Sequence, residues 1–255
     1  MGRRFPKKLE IRLLTESTKK PHMYYHLISG MDLQLKTQNE IHRFFSDNYG
    51  YDFVSLESNH LHNSTKDFMN RVNYYYFFQN HIGRNINSFA SKLQRKHLII
   101  QRKLNVCRTK KLHFSFQKGA NWFSLTHKTA THIVNEYKKY KKYKRVFRYS
   151  FCADEVFLQT ILINSPQINT VLDNSLRYVD WKRGNPYIFR TEDYDSLIQS
   201  NKLFARKFDI IIYIWSFKKT QYQNSFYYFY YFLNYWHSKI DIFDSSRTAH
   251  RHYTS

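Results

Sequence analysis

An apolar run typical of a β-strand covers residues 24–29 and stops at Gly30, with Asp32 directly after the break. A pattern of apolar residues at helical spacing then covers residues 38–45. A strand that ends in a glycine turn and leads into a helix is typical of α/β proteins. In open α/β sheets, ligands bind at the carboxyl ends of such strands. This stretch therefore predicts a sheet with strand ends near Gly30 and Asp32 that face a ligand.

The same alternation continues along most of the chain, and strands that alternate with helices predict one α/β domain over residues 1–209. Residues 59–67 are polar and are expected to form a loop. Beyond residue 209 no period is visible, and residues 210–255 are expected to be a separate aromatic and basic tail. Further strands are predicted at 51–56, 74–78, 112–116, 122–125, 176–181 and 203–209, and further helices at 9–15, 88–104, 129–137 and 191–200.

The charge of the chain predicts an anionic partner. Lys and Arg number 41 against 19 Asp and Glu, which gives a formal net charge of +22. Nucleic acid, an anionic membrane surface and phosphorylated substrates all fit such a balance. The positive residues are spread along the chain, with one dense run at residues 138–145, and no recognised nucleic-acid motif accompanies them. Specific nucleic-acid recognition is therefore not expected.

The two cysteines, Cys107 and Cys152, provide neither a disulfide framework nor the spacing of a metal site, which favours a reducing compartment. The first residues lack the apolar segment of a signal peptide. The apolar runs at 210–217 and 226–236 are shorter than the ~20 residues that a membrane span needs. A cytoplasmic location is expected, with peripheral contact to the inner face of the membrane as a further expectation.

Two adjacent acids, Asp154 and Glu155, stand directly before an apolar helical run in a chain where acids are scarce. Asp154 is placed to cap that helix, and Glu155 then lies in its first turn. Two interpretations remain open at this point. The pair is either an ordinary cap with a favourable dipole contact, or a carboxylate fixed in place for chemistry.

Four ordered segments between residues 24 and 209 resemble the core-2/I-branching β-1,6-N-acetylglucosaminyltransferase family, and its bacterial members in particular. The segments are Leu27-Ile-Ser-Gly-Met-Asp-Leu-Gln-Leu-Lys-Thr37, Lys118-Gly-Ala-Asn-Trp-Phe-Ser-Leu-Thr126, Asp154-Glu155 with its Phe-Leu-Gln-Thr helix, and Arg177-Tyr-Val-Asp-Trp181 continuing to Leu203-Phe-Ala-Arg-Lys-Phe-Asp209.

The resemblance implies a GT-A-like nucleotide-sugar transferase fold, with a mixed sheet flanked by helices, that works without a metal ion or other cofactor. It implies an inverting transfer of N-acetylglucosamine, or a related sugar, from a UDP-sugar to a hydroxyl of a glycan or lipid-linked saccharide. Glu155 matches the family's general base. The family's phosphate-binding Lys matches Lys207, and Arg206 adds charge beside it. A second, upstream Arg matches either Arg183 or Arg190.

Other residues of the matching segments are expected to shape the substrate site. Trp122 and Trp181 are placed to stack on a sugar or to form a pocket wall, although buried aromatic residues are commonly plain core. Asp154 is expected to bind substrate beside Glu155. Asp32 is expected either to form the floor of the pocket or to bond its own backbone in a turn.

The chain also departs from the family pattern at both ends. Family members carry a longer N-terminal region, so the first N-terminal βαβ elements of the fold are expected to be missing, as in a truncated gene product. The tail after residue 209 does not follow the family pattern either. Two alternatives therefore stand beside the transferase: a catalytically inactive remnant of such an enzyme, and a basic protein that binds polyanions.

Overall fold

A computed structural model describes residues 6–57, 62–78, 87–184 and 186–209. The α-helices are α1 (Pro6–Ser17), α2 (Gln38–Asp47), α3 (His62–Asn73), α4 (Phe89–Lys103), α5 (His127–Lys139), α6 (Lys141–Arg148), α7 (Phe157–Ile163) and α8 (Tyr194–Ile198). The strands are β1 (Tyr24–His26), β2 (Asp32–Gln34), β3 (Asp52–Val54), β4 (Phe123–Thr126), β5 (Val171–Asp173), β6 (Arg177–Val179) and β7 (Phe204–Arg206). Within these residues no helix has the length and apolar character that crossing a bilayer requires.

The strands form two small mixed sheets. The first has the order β1-β4-β3-β5, in which β4 is antiparallel to both of its neighbours and β5 is parallel to β3. The second has the order β2-β7-β6, with β7 antiparallel to β2 and parallel to β6. The prediction of an α/β fold with mixed sheet and flanking helices is therefore confirmed.

The main core lies where β3 and β4 pack against α5, α6 and α7. Every residue of α7 from Phe157 to Leu162 is buried, including the polar Gln159 and Thr160. Asp52, fully buried in β3, accepts hydrogen bonds from Thr126 N (2.7 Å) and Thr129 Oγ1 (2.6 Å), which join β3 to β4 and to the start of α5. A buried carboxylate needs such donors because its hydration is lost.

The sequence prediction was wrong at residues 62–67, which belong to α3 rather than to a loop; residues 59–61 lie outside the described residues. Helix formation there is driven by burial, since Phe68 and Val72, one turn apart, both lie in the main core. The predicted tail at 210–255 also lies outside the described residues.

The predicted strand at 74–78 is absent because side chains satisfy its backbone. Gln101 Oε1 accepts from Tyr75 N (2.8 Å), and Gln94 Oε1 accepts from Phe78 N (3.1 Å). Two glutamines of α4 thus take the place of a neighbouring strand. Buried backbone groups need a partner, but that partner need not be another strand.

The predicted strand at 112–116 is absent for the same reason. Asn164 Oδ1 accepts from Ser115 N (3.0 Å), and Asn164 Nδ2 donates to Ser115 O (2.7 Å). Thr160 Oγ1 accepts from Gln117 N (3.2 Å). Polar side chains of α7 and its C-cap therefore hold this segment as irregular chain along the helix.

Candidate active site

Residues 117–122 form the segment that leads into β4, and its backbone fixes the start of α7. Gly119 N donates to Glu155 O (2.9 Å). One residue further on, Gln159 Nε2 donates to Ala120 O (2.8 Å). Because Gln159 is fully buried, this bond ties the segment to the core rather than to the surface. The backbone that carries Glu155 is therefore set by the 117–122 segment.

Position 119 accepts only glycine in this arrangement. A Cβ atom built at Gly119 would lie 1.8 Å from Ser55 O and 2.8 Å from Ser55 C, both of them backbone atoms. No side chain fits at such distances without displacing the backbone that follows β3. The closeness of the two backbones lets Gly119 reach Glu155, and any larger residue would push them apart.

The two acids lie in a 3₁₀ turn, Ala153–Glu155, that comes before α7. The prediction that Asp154 caps the helix is therefore wrong: the N-cap position belongs to Val156, and no side chain bonds there. The physical reason is the left-handed backbone of Cys152 (φ 45°), which closes a tight turn with Glu155 N donating to Cys152 O (3.2 Å). That turn takes up Asp154 and Glu155 before the helix begins.

Glu155 is paired with Arg71, a residue that sequence reasoning did not select. Arg71 Nη1 donates to Glu155 Oε2 at 2.7 Å, and the Glu155 side chain is 39% exposed. The Arg71 guanidinium also lies 5.9 Å from the ring centre of Phe151, and Arg71 O accepts from Phe151 N (2.9 Å). The carboxylate is thus fixed on one side by α3 and open to solvent on another.

A third acid, Glu10 on α1, lies near this pair and was also missed. Glu10 is only 4% exposed, and burial together with the nearby charge of Asp154 raises the pKa of its carboxyl to about 8. Its Oε1 accepts a long hydrogen bond from Asn121 Nδ2 (3.5 Å), while Oε2 has no partner among the described residues. The sequence signal was an acid between the apolar Leu9 and Ile11 in an acid-poor chain.

Glu10 also borders a cleft of about 420 Å³ beside β1. The cleft runs along β1 as far as Leu27 and Ile28, and neither Gly30 nor Asp32, where the sequence pattern predicts a ligand, lines it. Apolar and aromatic side chains dominate its walls. They are Leu13, Leu14, Tyr24, Tyr25, Leu27, Ile28 and Phe123, with Ser17, His22 and His26 as the polar residues besides Glu10.

Asp32, Arg206 and Trp122 form a second cluster. The Asp32 carboxylate accepts from Ser29 N (2.7 Å) and Ser29 Oγ (2.9 Å), which closes the turn after β1. Arg206 Nη1 donates to Ser29 Oγ (2.8 Å) and Asp32 Oδ1 (3.3 Å). The Arg206 guanidinium stacks over Trp122, 4.7 Å from the ring centre. Asp32 therefore bonds its own turn and orients Arg206.

Lys207 follows Arg206 at the end of β7, and its backbone makes two hydrogen bonds. Lys207 N donates to Tyr187 O (3.4 Å), and Lys207 O accepts from Phe189 N (2.9 Å). Its Nζ makes no hydrogen bond or ion pair within the part of the chain that the structure describes. Arg190, exposed, comes directly after the segment that pairs with Lys207.

Arg183 and Trp181 occupy different surroundings. Arg183 Nε donates to Asp180 Oδ2 (2.6 Å) and Nη1 to Asp193 Oδ1 (2.7 Å), and its guanidinium lies 4.0 Å from the ring centre of Tyr187. Two carboxylates already neutralise it. Trp181 is 59% exposed. Among the described contacts, none brings either residue to the 117–122 segment.

The structure therefore brings two groups of predicted site residues to the same short segment. Glu155 lies at Gly119, and Arg206 lies at Trp122. Three residues of fully extended chain span at most about 11 Å, so the two ends of this stretch are no farther apart than that. The contacts at these ends are made by the backbone carbonyl of Glu155 and by the ring of Trp122, so this limit applies to the segment and not to the distance between the Glu155 carboxylate and the Arg206 guanidinium.

Comparison with known proteins identifies the family. The model of the family described as "Core-2/I-Branching enzyme" matches residues 8–197. The chain belongs to the core-2/I-branching enzyme family. The match includes Glu10, Arg71, the 117–122 segment and Glu155 but ends before Arg206 and Lys207. The mixed α/β architecture agrees with the GT-A-like fold expected of the branching-enzyme family.

Among curated relatives, rat xylosyltransferase 1 is 27% identical over 113 residues, and rat xylosyltransferase 2 is 29% identical over 110 residues. Human xylosyltransferase 1 is 26% identical over 113 residues. These alignments cover 36–37% of this chain but only 12–14% of the relatives. The chain thus matches only a small part of the length of these curated relatives.

The close contact at position 119 generates a stability prediction. Gly119→Ala is expected to lower the free energy of unfolding by roughly 3 kcal/mol or more, because its Cβ meets rigid backbone. Gly30→Ala is the matched control, since a Cβ there has nothing within 4 Å. Urea unfolding measures both. Equal stability of the two variants would show that the Gly119–Ser55 contact does not exist as described.

The buried carboxyl of Glu10 generates a prediction of pH dependence. Its pKa is about 8 in the folded chain and 4.5 as the ordinary value, so between these pH values the folded state holds a proton that the unfolded state has lost. The free energy of unfolding therefore falls as pH rises through this window. Glu10→Gln removes that fall. The free energy of unfolding of the variant, relative to that of wild type, is therefore expected to rise by roughly 2–4 kcal/mol from pH 5 to pH 9.

Urea unfolding at a series of pH values measures this gain. Glu16→Gln is the control on the same helix, because Glu16 is exposed and pairs with Lys19. Its unfolding curve is expected to follow the wild-type pH dependence. A Glu10→Gln variant that also kept the wild-type dependence would rule out a protonated Glu10.

Proposed function

We propose that this chain is an inverting glycosyltransferase domain that transfers a sugar from a UDP-sugar to a hydroxyl of a glycan acceptor. The proposed donor sugar is N-acetylglucosamine or a related sugar. Xylose is one of these candidates, because the curated relatives are named xylosyltransferases. The observation that carries the proposal is the Glu155 carboxylate, half-exposed yet fixed by Arg71, within the region that matches the branching-enzyme family.

Glu155 is proposed as the general base. In an inverting transfer, one carboxylate takes the proton of the acceptor hydroxyl while its oxygen attacks the anomeric carbon. Arg71 occupies Oε2, and Oε1 accepts no hydrogen bond from any described residue. Oε1 is therefore the oxygen that receives the proton, and Arg71 fixes the direction in which it points. Asp154, beside it, is proposed to contact the substrate.

Lys207 and Arg206 are proposed to bind the diphosphate. The bond that breaks leaves negative charge on the UDP, and fixed positive groups stabilise that charge without a metal ion. Lys207 has an Nζ without an acceptor in the described structure, which suits it to bind phosphate. Arg206 is oriented by Asp32 and Trp122. Of the two upstream candidates, Arg190 is favoured because Arg183 already binds two carboxylates.

The two tryptophans are assigned separate roles in this proposal. Trp122, stacked under Arg206, is proposed as the wall on which the donor sugar packs. Trp181, largely exposed, is proposed to contact the acceptor. The acceptor is proposed to be a glycan or lipid-linked saccharide at the cytoplasmic face of a membrane, which the positive charge of the chain favours.

The assignment of the base predicts the behaviour of Glu155→Gln. Glutamine keeps the shape and a hydrogen bond to Arg71 but cannot accept the proton, so kcat is expected to fall by ~100-fold or more. UDP release from UDP-N-acetylglucosamine and from UDP-xylose, each with an array of oligosaccharide acceptors, measures it. Glu16→Gln is the control and keeps wild-type kcat. A Glu155→Gln variant that turns over within threefold of wild type would refute the assignment.

The phosphate-binding role predicts a nucleotide-specific loss in Lys207→Met. Its affinity for UDP is expected to fall by about 10–100-fold, with the affinity for uridine unchanged, because only the phosphates lose a charged partner. Calorimetric titration measures both ligands. Lys202→Met, at the other end of β7 where Nζ donates to Asn174 Oδ1 (2.8 Å), is the control.

The same titration tests two further points. UDP affinity is expected to be unchanged in the presence of EDTA, and a loss of affinity would contradict metal-independent binding. Wild-type chain that takes up no UDP at all would support the inactive remnant instead of the transferase.

A further inference from the structure

Helix α4 has its polar and apolar faces reversed relative to an ordinary surface helix. Ser91, Gln94 and Gln101 are its buried residues. The two glutamines satisfy backbone groups of residues 75 and 78: Gln101 Nε2 donates to Tyr75 O (3.0 Å), and Gln94 Oε1 accepts from Phe78 N (3.1 Å). The inner face of α4 therefore makes polar hydrogen bonds, and apolar side chains of the helix lie on its exposed face.

Those apolar side chains form one line along the outer face, the α4 stripe, defined as Phe89, Leu93, Ile100 and Leu104. Spacings of four and seven residues place them on the same side of a helix. Phe89 is 81% exposed, Ile100 53% and Leu104 71%, and only Leu93 is partly buried. Single exposed apolar residues are normal, but an aligned set marks a surface that contacts something apolar.

Positive side chains flank the stripe. Lys92, Lys96 and Lys103 lie along one edge by helical spacing, and all three are exposed. Arg95 and Arg102 extend the charge around the helix, and no acidic residue occurs between Asp67 and Glu136. The apolar stripe thus lies in a wholly basic stretch of the chain.

We propose that the α4 stripe is a membrane-docking surface that inserts into the interfacial layer of a bilayer containing anionic lipids. A helix with one apolar face and a Lys-rich border lies in the plane of such a layer, with the apolar side chains among the acyl chains and the ammonium groups at the phosphates. A protein partner fits less well, because protein interfaces are depleted in Lys relative to the rest of the surface.

Helix α6 shows why charge alone is not the criterion. It carries Lys141, Lys142, Lys144, Arg145 and Arg148 and belongs to the densest basic run of the sequence. Its apolar residues Tyr143, Val146 and Phe147, however, are buried in the main core. α6 therefore offers attraction to an anionic surface without insertion, whereas α4 offers both.

Binding of the full chain to vesicles tests the proposal. The vesicles are phosphatidylcholine alone and phosphatidylcholine with roughly one third phosphatidylglycerol, and co-sedimentation gives the partition coefficient. Wild type is expected to bind the anionic vesicles far more strongly than the neutral ones. Ile100→Ser/Leu104→Ser is expected to bind them about tenfold more weakly, or worse, because two apolar insertions are lost.

Two triple variants separate the α4 border from general charge. Lys92→Gln/Lys96→Gln/Lys103→Gln is expected to weaken anionic binding by roughly 10–100-fold. Lys138→Gln/Lys141→Gln/Lys144→Gln removes the same charge near α6 and is expected to weaken it clearly less. The side chains substituted in all three variants are exposed, and thermal unfolding checks that each variant folds.

Three results would overturn the proposal. They are no binding of wild type to anionic vesicles, equal binding of the Ile100→Ser/Leu104→Ser variant and wild type, or equal effects of the two triple variants. Light scattering without lipid measures the oligomeric state and can give a fourth result that overturns it. If wild type is an oligomer that the stripe variant dissociates, the α4 stripe is an interface between copies of the chain instead.

Discussion

The approach of the Gly119 backbone to the Ser55 carbonyl is the constraint on which the site depends. Because no Cβ separates them, the segment of residues 117–122 lies against the chain that follows β3 and reaches the turn at Glu155. The same segment then leads into β4, the central partner of the first sheet. The position of Glu155, the proposed general base, is thereby tied to the core of the fold rather than to a loop.

Both halves of the proposed chemistry contact that segment. Glu155, paired with Arg71, lies at one end, and Arg206, stacked on Trp122, lies at the other. The proposed base belongs to the region beside the first sheet, and the proposed phosphate-binding residues belong to the end of the second. A substrate bound between them would contact both, and the two sheets need to keep their relative position for the reaction to occur.

The sequence pattern predicted the elements whose apolar residues repeat regularly. Helix α4 and strands β4 and β7 occur where their periodicity placed them. It failed at 74–78 and 112–116, where aromatic composition favours strands but Gln94, Gln101 and Asn164 bond the backbone. Such side-chain partners act over many residues of sequence separation and leave no local period. The reversal of polarity in α4 has the same origin, since its glutamines are turned inward to serve that backbone.

The candidate site was predictable only in part, for a related reason. Glu155, Arg206 and Lys207 lie in local motifs, so a resemblance could select them. Arg71 and Glu10 lie far from those motifs in sequence, and only the fold brings Arg71 to Glu155 and Glu10 to Asn121. Nothing around Arg71 distinguishes it from the other positive residues of a chain this basic.

The most direct test of the central claim is a crystal structure of the chain with a UDP-sugar bound, read for two distances. Glu155 Oε1 is expected to face the anomeric carbon from the side opposite the leaving group, with room for one acceptor hydroxyl between them. Lys207 Nζ is expected within hydrogen-bond distance of a diphosphate oxygen. A diphosphate bound elsewhere, or a sugar with its anomeric carbon turned away from Glu155, would contradict the account.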